Sequence, residues 1–525
     1  MESLHVHEFN NMMIQLVILL IVSVGVASIA YFRKKPYSIP LVFIGLVLGW
    51  FQVPFFEATK DFITNSEVFQ IFVISIFLPA LLGEAALKLP FSQLRENKTP
   101  ILALAIGGTL ITFLFVGLSS FYLLGLPVAV AFTFAALMSP TDPISVLQIF
   151  KPLHLNKKIS AIIEGESLFN DGIGVVLFQI SSVYLVSYIE MGALGFGNGL
   201  LLFLKFAVGG CIVGLLIGYL GSISIKDIDS YPLEITISVI VFFGSYLLGE
   251  TLHVSGVIAV VLAGLVLGNY GGKIGMSSVT KLNIYNFWDV IAFMANAVIF
   301  LIVGLELATI QTDGKWAMII AGILFVLLGR SIAVYGSLVW MKRIPLSWKH
   351  LFNYGGLKGS LSVALALSLP RTFTGREDII VLTFSAVLFS LLFQGLTIKT
   401  LVKKLGIIEN ASHIGEYEEL AANITISQNA IQTWTDLKKH SLIHDIDYLD
   451  LVRIEEENLK KYNQLLQKLY VLHPEIKQEQ LKDAQRAALY NQYHELVKLH
   501  DKEIISEDTL EKYQKEILEK IEELL

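Results

Sequence analysis

Apolar residues in this chain come in long unbroken runs separated by short charged loops, and hardly ever in the alternating pattern of a half-buried helix or strand. A run of about 20 apolar residues is what a helix needs to cross the hydrocarbon core of a bilayer. About thirteen such runs can be marked on that ruler: 12–32, 37–56, 68–87, 100–124, 127–150, 159–189, 199–220, 232–249, 255–270, 284–307, 316–341, 351–370 and 379–401. The eighth and ninth nearly touch at Glu250-Thr251-Leu252-His253, so they read either as two spans or as one. After Gly406 the pattern changes to a charged, helix-favouring stretch with no run long enough to span. There Leu459, Leu465, Leu469 and Leu472, and then Ile504, Leu510, Ile517 and Ile521, recur at helical spacing and predict short amphipathic helices. The predicted class is an all-α membrane protein, with a transmembrane domain over 12–405 and a helical tail over 406–525.

Composition agrees with the runs: of 525 residues, 54% are hydrophobic and only 16% charged, which is too apolar for a soluble globular chain. The net charge of −6 says little, because both signs collect in loops and in the tail. Where the positive charges fall is more informative. They follow alternate runs: Arg33, Lys34 and Lys35; Lys88, Arg95 and Lys98; Lys151, Lys157 and Lys158; Lys226; Lys273 and Lys281; Lys342, Arg343 and Lys349; Lys399, Lys403 and Lys404. Loops on the other side hold chiefly Lys60, Lys315, Arg371 and Arg376 among acids such as Glu57, Asp61, Glu67 and Asp313. Cytoplasmic loops are the ones enriched in Lys and Arg, so the N-terminus is expected outside and the C-terminus in the cytoplasm, across the plasma (cell inner) membrane. The first run is too long for a signal-peptide core and has no small-residue cleavage site behind it, so it is expected to stay as an anchor. Cys211 is the single cysteine, which excludes an intrachain disulfide.

Several function classes find no support. The chain has no nucleophile elbow, no His/Cys cluster and no basic stripe interleaved with aromatics, which argues against hydrolytic catalysis and nucleic-acid binding. His154 and His253 lack metal-ligand spacing and read as structural. The tail carries neither a Gly-rich phosphate loop nor a dinucleotide fingerprint; it reads as a small bundle or a helix lying along the membrane domain, with regulation or dimer contact as the sharper alternative.

Polar residues inside the apolar runs carry the chemistry. Glu166-Ser167-Leu168-Phe169-Asn170-Asp171-Gly172 lies within run six and brings two carboxylates. Each costs about 2.5 to 3.5 kcal/mol at a helix centre, so an intramembrane acid is a functional-site hypothesis by default. On a helix, Glu166 stands one turn from Asn170 and Ser167 one turn from Asp171, a polar face that reads as a cation or proton site. Run five contains Ser139-Pro140-Thr141-Asp142-Pro143, whose prolines predict a helix break that frees backbone carbonyls beside a carboxylate; the plainer reading is a kink with Asp142 capping the resumed helix. Glu84 in run three is either a deep ligand or an interfacial acid paired with Lys88 one turn on. Arg330 in run eleven needs an acidic partner, and Glu166 is expected to supply it, because Asp142 and Asp171 must stay available if they bind and release an ion. Run twelve opens on Asn353-Tyr354-Gly355-Gly356-Leu357-Lys358-Gly359-Ser360, where the glycines serve either close packing or a second break. Lys358 either lends charge near the site or snorkels to the cytoplasmic face.

Together the proline-bracketed Thr141-Asp142, the Glu166–Gly172 stretch, Arg330 and Gly355-Gly356-Leu357-Lys358-Gly359 resemble the signature of the cation/proton antiporter-1 family, the NhaP-type sodium/proton antiporters and the eukaryotic sodium/hydrogen exchangers, over about Met12 to Gly406. The resemblance implies thirteen spans in two inverted six-helix repeats, with a dimerisation part holding a moving core, hence a homodimer in lipid. It implies an ion site of Asp171, Ser167, Thr141 and Asp142, with Glu84 as an extra ligand, Asn170 in support and Glu166–Arg330 as a structural ion pair. Many members have arginine where this chain has Lys358, a departure that matters for a bidentate fork but not for charge alone. No cofactor is implied beyond the transported Na+ and H+. A hard cation takes oxygen ligands, and a proton and a sodium ion would exclude each other at Asp171. With Asn rather than a second acid at position 170, one titrating carboxylate implies electroneutral exchange. Ligand type is better fixed than cavity size, so lithium and potassium stay open beside sodium, and a K+/H+ antiporter is the alternative. A cation channel fits less well, because there is no arginine-repeat sensor, no filter loop and no ring of charge.

Overall fold

The computed structural model describes residues 2–33, 37–51, 73–150, 155–226, 228, 230–272, 276, 278–307, 314–407, 411–502 and 504–523. Of the loop residues named above, Lys34, Lys35, Glu57, Lys60, Asp61, Glu67, Lys151, His154, Lys273 and Asp313 lie outside them. Every regular element among the described residues is a helix. The chain divides into two compact units, Met1–Ile407 and Ile408–Leu525.

In the first unit the described part of each apolar run forms one helix or a broken pair. Helix α1 is Glu2–Phe32, α2 is Ser38–Trp50, and α3 enters through a π turn at Val73–Phe77 and continues as Leu78–Lys88. A short α4, Phe91–Glu96, leads to α5, Lys98–Leu124. Run five is split into α6, Val128–Met138, and α7, Pro143–Phe150. Helix α8, Lys157–Gln179, runs on through a π turn to Glu190. Then come α9, Ala193–Ile225; α10, Tyr231–Thr251; α11, Gly256–Gly271; α12, Ser278–Leu307; and α13, Trp316–Ser337. Run twelve is split like run five, into α14, Leu346–Tyr354, and α15, Ser360–Leu367, before α16, Arg376–Lys404. Among the described residues, seven of these helices (α5, α8, α9, α10, α12, α13 and α16) are long and apolar enough by length and composition to cross a membrane. The two splits are seven runs apart, the offset that repeats of runs one to six and eight to thirteen require.

Runs eight and nine are separate helices. After α10 the backbone turns at His253, whose φ of 54° is left-handed, and Ser255 restarts the chain by accepting a hydrogen bond from the Ile258 amide at 3.2 Å. The outer face of α9 is lined by exposed Leu201, Val208, Ile212 and Leu216, as a surface solvated by lipid chains should be. Its inner face is glycine: a Cβ on Gly218 would lie 2.9 Å from the Ala263 backbone, so α9 and α11 pack main chain to main chain.

The second unit holds α17, Ala411–Lys439; α18, Asp445–Leu472; α19, Pro474–Asp501; and α20, Glu507–Glu523. These helices are longer than the short ones that the leucine and isoleucine spacing predicts. After residue 411 the chain contains one glycine, Gly415, and one proline, Pro474, and its Glu, Lys, Gln and Leu are strong helix formers, so each helix runs through the charged stretches between apolar clusters. Leu469 packs with Leu420 and Ile476 beneath Tyr417 and Tyr470, whereas Leu472 is exposed. Ser427 ties α17 to α18 by donating to Glu455 Oε2 at 2.6 Å.

Candidate cation site at two crossed helix breaks

The first break follows from proline chemistry. Pro140 and Pro143 have no amide hydrogen and exclude the helical turn before them, so α6 stops at Met138 and the chain is non-helical through Ser139, Pro140, Thr141 and Asp142. Ser139 closes the end of α6 by donating to the Ala135 carbonyl at 2.7 Å, and Pro143 opens α7 at a position where no amide donor is needed. The second break is a glycine break. Helix α14 ends as Gly355 donates to Leu351 O at 2.7 Å, and the backbone is extended by Gly359 before α15 begins.

The breaks cross and bond to each other. The Asp142 amide donates to the Leu357 carbonyl at 2.7 Å, and Ser362 Oγ donates to the Leu137 carbonyl at 2.6 Å. Lys358 is buried, and its ammonium reaches across to the Pro140 carbonyl at 2.9 Å while its amide donates to Ser390 Oγ at 3.0 Å. Of the two roles open to Lys358 from sequence, snorkelling is therefore set aside: it places positive charge on a carbonyl freed by the first break. The glycines permit this approach. A Cβ on Gly359 would run into the Asp142 side chain, and one on Gly356 would run into the Arg330 guanidinium.

Helix α8 forms the third wall. Asn170 brackets Thr141 by donating from Nδ2 to Thr141 Oγ1 at 2.9 Å and accepting from the Thr141 amide at 3.4 Å, and Ser167 Oγ donates to the Thr141 carbonyl. Thr141, Ser167 and Asn170 are all buried. Glu166 points elsewhere. It takes both terminal nitrogens of Arg330, which also donates to the Phe352 carbonyl at 2.8 Å, so α8, α13 and the end of α14 are pinned at one buried ion pair. The polar face read from the sequence thus divides between two partners.

Asp171 and Asp142 line a cavity of about 250 Å³ with Thr141, Glu84, Glu164, Asn296 and Ser360. Asp171 has no hydrogen bond or ion pair among the described residues, whereas Glu84 pairs with Lys88 at 2.8 Å. Glu164, which the sequence pattern does not single out, stands about two helical turns before Asp171 and so shares its face. Asn296, a polar residue in an apolar run that the sequence pattern likewise does not single out, is buried and accepts from Ser360 Oγ at 3.2 Å.

Residues 16–404 match the family model described as sodium/hydrogen exchanger, transmembrane. The chain belongs to the sodium/hydrogen exchanger family. This exchanger chain is 50% identical over 500 residues to the Na(+)/H(+) antiporter NhaG of Bacillus atrophaeus, covering 95% of each. It is 56% identical over 401 residues to the Na(+)/H(+) antiporter NhaH of Halobacillus aidingensis, covering 76% of this chain and 100% of that one. Among solved structures, the sodium proton antiporter MjNhaP1 from Methanocaldococcus jannaschii aligns with a TM-score of 0.62 over 75% of this exchanger and 99% of its own chain, at 23% identity, a likeness of fold. In the exchanger chain Arg330 is bound by Glu166 and not by Asp171.

Proposed function

We propose that this chain is a secondary antiporter that exchanges Na+ for H+ across the plasma membrane by alternating access, as a homodimer with its N-terminus outside and its tail in the cytoplasm. The observation that carries this reading is Asp171: a carboxylate facing a cavity, with no ion-pair partner among the described residues, in a lining shared with Thr141, whose hydroxyl and amide bond Asn170 and whose carbonyl accepts from Ser167 Oγ. Asp171, Asp142, Ser167 Oγ and the Thr141 carbonyl would supply the oxygens that a partly dehydrated sodium ion requires, with Glu84 as an outer ligand. Asn170 supports the site by fixing Thr141, and Lys358 offsets the freed Pro140 carbonyl.

Charge conservation sets the mechanism. A carboxylate crossing a low-dielectric barrier has to be neutralised, and either a proton or a sodium ion does it. Each empties the site of the other, and only a loaded site moves. One such carboxylate in the Asn170-Asp171 pair makes the exchange electroneutral, one proton for one sodium. Lithium fits the same oxygens, and potassium/proton exchange is the competing reading.

The test is dissipation of a preset pH gradient in inside-out vesicles, with Na+, Li+ and K+ added separately. Na+ is expected to collapse the gradient, and Asp171→Asn to abolish the response; retained activity in that variant would sink the site. Because protons compete for one carboxylate, lowering the pH is expected to raise the apparent KM for Na+ without lowering the maximal rate. Clamping the membrane potential is expected to leave the rate unchanged.

A further inference from the structure

Lys88 occupies a position that the proposed exchange does not use. It ends α3 in the lining of the cavity, 29% exposed, where its ammonium bonds Glu84 Oε1 at 2.8 Å and also Asp289 of α12. Glu84 is 14% exposed and Asp289 56%. Across the cavity stands Glu164 of α8, half-buried and without a hydrogen bond or ion pair among the described residues. Glu84, Glu164 and Lys88 therefore line the same cavity as Asp171, with Asp289 bonded to Lys88 from outside that lining. The backbone behind the ammonium is fixed, since the Phe91 amide donates to Asn269 Oδ1 at 2.6 Å and Asn269 Nδ2 donates to the Leu89 carbonyl at 3.0 Å. What can move is the flexible four-carbon stem of Lys88 itself.

We propose that Lys88 is a tethered competitor that sets the apparent affinity for the transported cation, holding Glu84 in an ion pair that an incoming ion must displace. An ammonium is a compact monovalent cation satisfied by the same carboxylate oxygens that suit sodium, and its tether keeps it at high local concentration. While it is seated, Glu84 is occupied and the approach carries one positive charge among its negative ones. When it swings to Asp289 alone, Glu84 becomes a ligand on the path to Asp171, and the local potential draws cations inward. This inference rests on the exchange reading above and adds to it a residue that tunes entry. A lysine that merely clipped α3 to α12 would instead act on stability and leave KM alone.

The experiment uses the full chain in proteoliposomes, with Na+ titrated at fixed pH and fixed ionic strength. Lys88→Gln is expected to lower the apparent KM for Na+ by about three-fold or more, with the maximal rate within about two-fold, an effect that shrinks as ionic strength rises. Lys88→Arg keeps the charge and is expected to hold KM near that of the unmutated chain, and Glu84→Gln in the Lys88→Gln background is expected to reverse the gain. Asp289→Asn leaves Lys88 in place with one anion fewer, which seats the ammonium on Glu84 and is expected to raise KM, so this variant decides the matter if Lys88→Gln fails to fold. An unmoved KM in Lys88→Gln, a gain that survives loss of Glu84, or a fall in KM for Asp289→Asn would each overturn the proposal. Absence of any Na+ response in the unmutated chain would instead overturn the exchange reading.

Discussion

A single missing methyl group decides where Asp142 stands. Gly359 lies so close that a Cβ there would meet the Asp142 side chain, whose main chain is already held to Leu357. Gly359→Ala is therefore expected to push the carboxylate off its place and raise the apparent KM for Na+ several-fold, about 1 kcal/mol of binding for each six-fold change, with a smaller effect on the maximal rate. A Na+ titration in vesicles checks this, and an unchanged KM would show that Asp142 does not contact the ion. At this scale the sequence was informative where burial is costly. Asp142, Glu166, Asp171 and Arg330 stand out because charge in an apolar run demands a reason. Lys358 was undecidable, since its long stem reaches inward or outward from one backbone position, and only the crossing carbonyl of Pro140 settles its direction. Glu164 escaped notice because it sits near the start of its run, where an acid costs little.

Helices α8, α13 and α14 converge on the bond between Glu166 and Arg330, and this junction holds the wall of the cavity against the glycine break. Removing one partner leaves a buried charge unmatched, which costs about 3 to 5 kcal/mol. Glu166→Gln and Arg330→Leu are each expected to lower the melting temperature of the purified chain by several degrees and to reduce the amount inserted. Either variant folding normally while losing transport would show that the pair takes part in the exchange rather than bracing it. The two breaks were not equally legible in advance. Proline states its effect outright, because the missing donor and the steric clash act wherever it stands. Glycine serves both close packing and unwinding, so the Gly355–Gly359 stretch leaves both readings open in sequence, and the Leu357 carbonyl, taken by the Asp142 amide of the other break, decides for unwinding. The boundary between α10 and α11 was hidden for a related reason: His253 adopts a left-handed turn that glycine would have announced.

The relatives bear on the molecule as a whole. The match to NhaH spans all of that antiporter but only 76% of this chain, whereas the match to NhaG covers 95% of each, so an antiporter of this family can be about a quarter shorter than this chain. A chain ended at Ile407, where the first compact unit closes, is therefore expected to insert and to exchange Na+ for H+ in vesicles at a rate within about three-fold of the full chain, a change of barrier below about 1 kcal/mol. Loss of insertion on truncation would make the tail part of the membrane fold. Span count and class were legible because lipid imposes one rule on length and polarity. The extent of the tail helices was not, because charged residues that favour a helix carry no periodic mark of where it ends.

The contact between Asp142 and Leu357 runs from one main-chain amide to one main-chain carbonyl. Any amino acid other than proline at position 142 brings the same donor, and every amino acid at position 357 brings the same acceptor. Alanine scanning of the two breaks would pass over the bond that joins them, and sequence drift at these positions would not erase it. Only a change to the backbone itself, such as an ester in place of the amide at Asp142, would reveal how much of the crossing depends on it.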